Sequence, residues 1–387
     1  MQDFVDKFYA YFGIAPIAAA QAPGRLEILG NHTDYNEGIV LSCAVSQNTR
    51  FAVAPVEGTT CRIKDFRDGA EMVFDLSALD AAPPRNGSKY IIGMLRELRA
   101  RGWQTCAFCA GLESSVPLSA GMSSSAALEV SCGLAFSIAY NLGLENDPAE
   151  LALAGQGVEN NYLGLKSGLL DQFSSLFGVK DSMIMSDFRT VSVTETAALP
   201  SGYALVVINS MKKHHLVDSD YNVRRADCET AANILSQIYP GVRSLRDISM
   251  EQLNAARASL DWRVFRRAQH VVAECARVSA AMRLLRDGDV RGFGRLLFDS
   301  HESSRLNFEN STPELDTLID IAKNTPGCFG ARLSGGGFGG ISIHLVREKN
   351  AAAYAEKVCA EYFKRTGIKA DSFITSPGDG ASGYSLI

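Results

Sequence analysis

Between residues 90 and 101 the apolar positions Ile91, Ile92, Met94, Leu95 and Leu98 fall at helical spacing, and Gly102 ends the run. A second helix, over 124–141, is apolar nearly all round (Ala126, Ala127, Leu128, Val130, Leu134, Ala135, Ile138), the pattern of a helix buried on every side. Further helices are predicted over 148–162, 220–238, 262–286, 290–303, 313–324 and 351–366. Short runs rich in apolar and β-branched residues predict strands at 39–45 and 50–56, on either side of a polar turn. Others are predicted at 106–112, 182–187, 204–209, 330–333, 341–346 and 370–375. Helices and strands mix without regular βαβ alternation, so the expected class is α+β. The turn-rich link at 199–202 marks the expected boundary between an N-terminal domain, residues 1–200, and a C-terminal domain, residues 201–387.

Composition narrows this picture. A hydrophobic fraction of 46% and a charged fraction of 21% in 387 residues suit a globular protein with a substantial core. The net charge of −5, with no basic tract, argues against a nucleic-acid partner. Residues 1–16 lack a charged-then-apolar leader, and no run of roughly 20 apolar residues offers a membrane span, so the expected location is the cytoplasm, with no membrane partner. Nine cysteines, an odd number in mostly apolar surroundings, read as reduced thiols. Cys106 and Cys109 have no second pair, and the adjacent His214 and His215 lack the spacing of a helical metal pair.

Three segments carry chemistry. In residues 117–129 a loop of small residues, including Ser123, Ser124 and Ser125, runs straight into the buried helix. Free N–H groups and the positive dipole end of that helix would face the loop, a site suited to phosphates. Serine N-capping alone would explain one serine but not three. In residues 334–340 six of seven positions are glycine, and the strand that follows rules out a dinucleotide fingerprint, which needs a helix. So many glycines allow close backbone approach to a neighbour, beyond the needs of a hairpin turn. Residues 24–38 crowd Arg25, Glu27, Asn31, His32, Asp34 and Asn36 beside an apolar run, a mixture suited either to a polyhydroxylated ligand or to a charged turn between strands.

Together these segments resemble the motifs of the GHMP kinases and, within that superfamily, of the galactokinases. Gly24-Arg-Leu-Glu-Ile-Leu-Gly-Asn-His-Thr-Asp-Tyr-Asn36 resembles the galactokinase signature. The serine loop is similar to the phosphate loop of the superfamily, and residues 330–340 to its glycine loop. Gly168-Leu-Leu-Asp-Gln-Phe173 looks like the segment bearing the catalytic Asp, and Tyr221-Asn-Val-Arg-Arg225 like the sugar-side Tyr segment. Ser300-His301 and Pro313-Glu-Leu-Asp316 follow in order, so the resemblance spans residues 20–382.

The resemblance implies a two-domain α+β fold, with an N-terminal domain like ribosomal protein S5 domain 2 and a ferredoxin-like C-terminal domain. It implies transfer of the γ-phosphoryl of ATP, with Mg²⁺, to the C1 hydroxyl of galactose by a monomer. Asp171 would accept or orient the hydroxyl proton, and Arg25 would stabilise charge beside it. Asn31, His32, Asp34, Gly168 and Tyr221 would bind the sugar. Pro117, Ser119, Gly121, Ser123, Ser124, Ser125, Ala126, Gly335, Gly336 and Gly337 would bind ATP. Ser124 or Ser125, with Glu159, would hold the metal. Two departures concern the sugar: Glu27 and Asn31 stand where galactokinases usually carry Asn and Glu, and Lys166-Ser167 replaces the usual Pro-Cys. They imply a different reading of the sugar's C6 end, with galacturonate or N-acetylgalactosamine as alternative substrates. A non-catalytic sugar sensor is a second alternative, against which Arg25, Asp171 and the serine loop are all retained.

Overall fold

A computed structural model describes residues 1–117, 121–212 and 217–387. The strands are β1 (Ala18–Leu29), β2 (Ile39–Pro55), β3 (Thr60–Asp65), β4 (Glu71–Asp75), β5 (Phe108–Ser114), β6 (Ser182–Asp187) and β7 (Ser192–Ala198). They continue with β8 (Tyr203–Asn209), β9 (Cys328–Ser334), β10 (Ile341–Arg347), β11 (Asp371–Thr375) and β12 (Ser382–Ser385). In the first half the helices are α1 (Gln2–Phe12), α2 (Ser88–Ala100), α3 (Ser124–Tyr140), α4 (Pro148–Gly157) and α5 (Leu170–Phe177). The second half carries α6 (Val217–Ile238), α7 (Met250–Ala255), α8 (Trp262–Arg286), α9 (Val290–Ser303), α10 (Pro313–Lys323) and α11 (Ala351–Thr366).

Two sheets organise these elements, and the class is α+β. The larger runs β12-β1-β2-β5-β3-β4, with β6 also on β2 and β7 on β6. Every pairing in it is antiparallel except β3 with β5. The smaller is antiparallel, in the order β11-β8-β10-β9. Its succession of strand, helices, two strands, helix and strand has the form of the expected ferredoxin-like unit. Because β12 pairs with β1, the end of the chain returns to the larger sheet. No helix among the described residues is long and apolar enough to cross a membrane.

The expected turn between two strands at 39–56 is absent, and β2 is one strand of 17 residues. The polar stretch at 46–49 contains neither Gly nor Pro, and β1 runs beside both halves. Ala18–Pro23 pair with Asn48–Val53, Arg25–Leu29 pair with Leu41–Ala44, and a register shift between Pro23 and Arg25 absorbs the break. The helix predicted over 148–162 is also divided: α4 ends at Gly157, and Val158–Tyr162 forms a π-helical turn. A second π-turn, Ser304–Phe308, follows α9. Such turns redirect side chains and are frequent at functional sites; Glu159 of the first lies near Asp171 and Phe308 of the second packs on His32, and Asp171 and His32 both line the cavity described below.

One core lies between the larger sheet and α2, α3 and α4, built on Phe51, Phe108 and Phe136. A second joins the sheets, with Leu26 and Ile28 of β1 against Val278, Met282, Phe293 and Leu297 of α8 and α9 and Val207 and Ile343 of the smaller sheet. Because strand side chains alternate, burial of Leu26 and Ile28 turns Arg25 and Glu27 to the opposite face. That face carries the site.

Candidate active site

The centre is an ion pair. Asp171, in the first turn of α5, receives Arg25 Nε at 2.8 Å and Arg25 Nη2 at 2.7 Å on Oδ1. Its Oδ2 accepts a hydrogen bond from Ser123 Oγ. Arg25 Nη1 also donates to the Gly121 carbonyl at 2.6 Å, which ties β1 to the serine loop. Arg25 is nearly buried, while Asp171 keeps 27% of its side-chain surface, so the carboxylate faces the cavity. That cavity, about 90 Å³, is lined by Arg25, Glu27, Asn31, His32, Asp34, Gly168, Asp171, Tyr221 and Gly336, with Ser167 and Leu170.

Asp34 and Gly168 fit against each other. A Cβ on Gly168 would stand 1.7 Å from Asp34 Oδ2, so glycine alone admits the carboxylate there. Leu170 N donates to the same oxygen at 3.3 Å. Burial, opposed by backbone hydrogen bonds, pushes the Asp34 carboxyl up to about 6. Both ring nitrogens of His32 are occupied: Nε2 meets the Gly336 carbonyl at 3.1 Å and Nδ1 meets Tyr35 OH at 2.9 Å. Burial holds this imidazole neutral, with its pKa lowered to about 3, and its ring packs against Tyr221 and Phe308. His32 thus lines the cavity with its ring and latches the signature loop to the glycine loop.

Asn31 is fully buried and satisfied at both ends. Its Nδ2 donates to Glu27 Oε1 at 2.8 Å and to the Gly335 carbonyl at 2.9 Å, while Oδ1 accepts from Asn310 Nδ2 at 2.9 Å. Glu27 Oε1 also receives Arg332 Nη2 at 2.9 Å, in a pair with side-chain exposures of 4% and 0%. Burial pushes the Glu27 carboxyl up, and Arg332 and then Arg25 pull it down, with the upward shift prevailing. Behind the loop, Glu274 of α8 accepts from the backbone N–H groups of Gly30 (2.8 Å) and Asn31 (3.0 Å), and His270 reaches the Asn31 carbonyl at 3.1 Å. The second half of the chain therefore holds the loop carried by the first.

The helix α3 has no side-chain cap, and Ser123, with φ of 55°, turns its hydroxyl to Asp171 instead. Simple serine capping is thereby set aside: the Ser123 side chain does not cap the first N–H groups of α3. Ser124 and Ser125 line a separate cavity of about 240 Å³ with Met72, Tyr90, Leu112 and Leu128. Pro117 precedes the loop and Ala126 lies in the first turn of α3; Ser119 lies outside the described residues, as do His214 and His215. In the glycine loop, a Cβ on Gly335 would lie 3.2 Å from the Gly121 carbonyl and 3.4 Å from Arg25 Nη2. Gly336 faces Tyr221, and Gly337 leaves no room for a Cβ against Asn310. These glycines join the serine loop to the wall that carries His32 and Tyr221. Glu159, on its π-turn, is buried near Asp171, and burial followed by that neighbouring charge pushes its carboxyl up to about 7.

Arg25, Asn31, His32, Asp34, Gly168, Asp171, Tyr221 and Gly336 thus come together around one cavity. Several residues of the site went unassigned in the sequence: Glu27 as a lining group, Arg332, Glu274, His270 and Asn310 as its supports, and Tyr90 and Met72 in the second cavity. A charged residue inside an apolar run, as Arg332 is in β9 and Glu274 in α8, was the available signal.

Comparison with known proteins agrees with this geometry. The model of the galactokinase galactose-binding signature matches residues 6–55, that of the GHMP kinases N terminal domain 89–179, and that of the GHMP kinases C terminal domain 281–364. The galactokinase of Lactococcus lactis, solved with galactose, is 31% identical over 98% of this chain and 99% of its own, with a TM-score of 0.92. Mevalonate kinase from Methanococcus jannaschii (17% identity, TM-score 0.63, 93% of this chain and 98% of its own) shares the fold. So does homoserine kinase from Cytophaga hutchinsonii (16%, 0.59, 97% and 99%). With three family models in order and a galactokinase matched end to end, the chain belongs to the galactokinase family of the GHMP kinases, transferases that use ATP to phosphorylate a hydroxyl group.

Proposed function

We propose that this kinase moves the γ-phosphoryl group of ATP to the C1 hydroxyl of galactose, with Asp171 and Arg25 at the reacting oxygen. The observation that carries this reading is the Arg25–Asp171 pair, open to the sugar cavity on one side and tied to the serine loop through Ser123 and Gly121 on the other. In the step proposed, the sugar oxygen bonds to the γ-phosphorus as the bond from that phosphorus to the β–γ bridging oxygen breaks. ADP departs, and the hydroxyl proton passes to Asp171. Arg25 holds Asp171 in place and faces the charge on the transferring group, so positioning and electrostatics carry most of the catalysis.

The N–H groups at the start of α3 would hold phosphate oxygens, and the cavity lined by Ser124, Ser125, Tyr90 and Leu128 would take the nucleoside. Pro117, Ser119, Gly121, Ser123, Ala126 and the glycines at 335–337 complete that proposed nucleotide set. Glu159 with Ser124 or Ser125 offers the oxygen-only ligands that Mg²⁺ prefers. When bound, the ion would neutralise phosphate charge. Asp34, Gly168, His32 and Tyr221 would enclose the sugar. The nine free cysteines support work in a reducing cytoplasm, and we place the domain division at 199–202, with β12 returning to the first domain.

ADP release measured over a panel of hexoses, their N-acetyl forms and uronates tests this reading. Galactose should give the largest kcat/KM. ADP release that no sugar accelerates would overturn it.

A further inference from the structure

Arg25 and Glu27 alternate on β1 with Leu26 between them, so they share a face and stand about 7 Å apart along the strand. Both line the cavity, Arg25 at the point where it holds Asp171 and Glu27 one strand repeat further along. The two Glu27 oxygens differ. Oε1 is spent on Arg332 and Asn31. Oε2 has no hydrogen-bond partner among the described residues and is not wholly sealed, so what accessibility it has is toward the cavity that Glu27 lines. Asn31 has the opposite character, since every polar atom of its side chain is engaged inside the protein.

We propose that Glu27, through Oε2, is the acceptor that reads a sugar hydroxyl remote from the phosphorylated oxygen, and that Asn31 is a positioning residue that fixes Glu27. The inference rests on the sugar-kinase reading above and assigns a specificity-determining group within it. A carboxylate accepts hydrogen bonds and donates none. The hydroxyl it reads must therefore donate, and a fluorine in that place cannot. Arg332 fixes the orientation by occupying Oε1, so a Gln at position 27 would keep its carbonyl toward Arg332 and turn its NH₂ into the cavity. The wall would change from acceptor to donor, and a donor tolerates fluorine.

The test compares galactose with its four analogues singly fluorinated at C2, C3, C4 and C6, measuring kcat and KM for the wild type, Glu27→Gln and Asn31→Ala. In the wild type one fluorinated analogue should lose roughly 30-fold or more in kcat/KM, chiefly through KM. Glu27→Gln should shrink that one penalty to about threefold and leave the other three unchanged. Four penalties unchanged by Glu27→Gln would overturn the proposal while leaving the kinase reading intact. Asn31→Ala retains the carboxylate, so the analogue pattern should persist with a higher KM. Erasure of the pattern by Asn31→Ala would make Asn31 the reader and overturn the proposal even if Glu27→Gln did not fold. A wild type that never phosphorylates galactose would remove both readings together.

Discussion

β1 contributes to two Arg–carboxylate pairs two residues apart, and their differences separate chemistry from architecture. In the first, β1 supplies Arg25 and the carboxylate is Asp171, which keeps 27% of its surface and faces the cavity. In the second, β1 supplies Glu27 and the cation is Arg332, which is sealed from solvent. An open carboxylate can exchange partners during a reaction. A sealed guanidinium cannot, and its main work is to hold β9 against β1, which it also does through the Ile28 carbonyl at 3.0 Å. Two similar pairs should therefore fail in different ways.

Asp171→Asn tests the open pair and carries the largest expected effect. Turnover should fall by ~10³-fold or more, equivalent to about 4 kcal/mol of transition-state stabilisation. Sugar affinity should stay within about tenfold, and the thermal midpoint should fall less than on loss of the sealed pair, since Asn keeps the shape of the side chain and an oxygen that accepts from Arg25. Isothermal titration alongside single-turnover kinetics reads both quantities. Lost sugar binding with unchanged turnover per bound sugar would contradict the role given to Asp171.

Arg332→Met tests the sealed pair, and here the loss should appear in stability. Removing one member of a buried pair leaves the other unpaired and costs about 3 kcal/mol or more. Urea denaturation should show that loss, and adding Glu27→Gln should recover part of it, because no uncompensated charge then remains. If the single variant were as stable as the wild type, β1 and β9 would not depend on this pair.

The contrast also explains what the sequence made legible. Glycine and serine punctuation marked both loops, and strict helical periodicity placed α8 and α9 to the residue. The 39–56 region misled because polar residues at 46–49 look like a turn locally, while β1 keeps the strand extended by pairing along both halves. The strands β1, β3, β4, β7 and β12 were not recognised: the last four are short and partly exposed, while the long, buried β1 has its apolar pattern broken by Pro23, Gly24, Arg25 and Glu27. Within the site, most residues that touch the cavity fall in short motifs, around 25–34, 168–171, 221 and 336, and could be read. Their supports could not: Glu274 and Asn310 approach Asn31 from 243 and 279 positions away, a proximity created by tertiary packing. The exchange of Glu27 and Asn31 was visible, but its meaning was not. On the proposal above, the hydroxyl-reading role passes from Asn31 to Glu27, because the side chain of Asn31 is fully engaged.

Gly168→Ala extends the comparison to the rim of the open pair. The added methyl would meet Asp34 Oδ2 at 1.7 Å, so either the carboxylate or the loop before α5 must move. That loop is fixed by α6, where Asn222 accepts from Lys166 N at 3.2 Å and Arg225 donates to the Lys166 carbonyl at 2.7 Å. Asp34 should therefore yield, raising KM for the sugar about 10- to 100-fold with a smaller change in kcat. Unaltered KM would mean that Asp34 does not bind the sugar.

The smallest effect concerns pH and the Asp34 carboxylate itself. Its folded pKa of about 6 lies above the ordinary value of 3.8, so the folded state holds this proton more tightly than the unfolded chain. The stabilisation from the neutral form is fully present below the unfolded pKa and is lost as pH rises through about 6. Sugar binding runs the other way, since the ionised form is the better acceptor for hydroxyl groups. At pH 5 about a tenth of the sites would be ionised, and kcat/KM for the sugar should have fallen roughly tenfold from its plateau. Asp34→Asn should remove the bend near pH 6, lower the plateau, and gain stability at pH 7, where the wild type bears the cost of a buried charge. An acid limb that survives Asp34→Asn unchanged would shift the titration to another group of the open centre and leave Asp34 a role in shape alone.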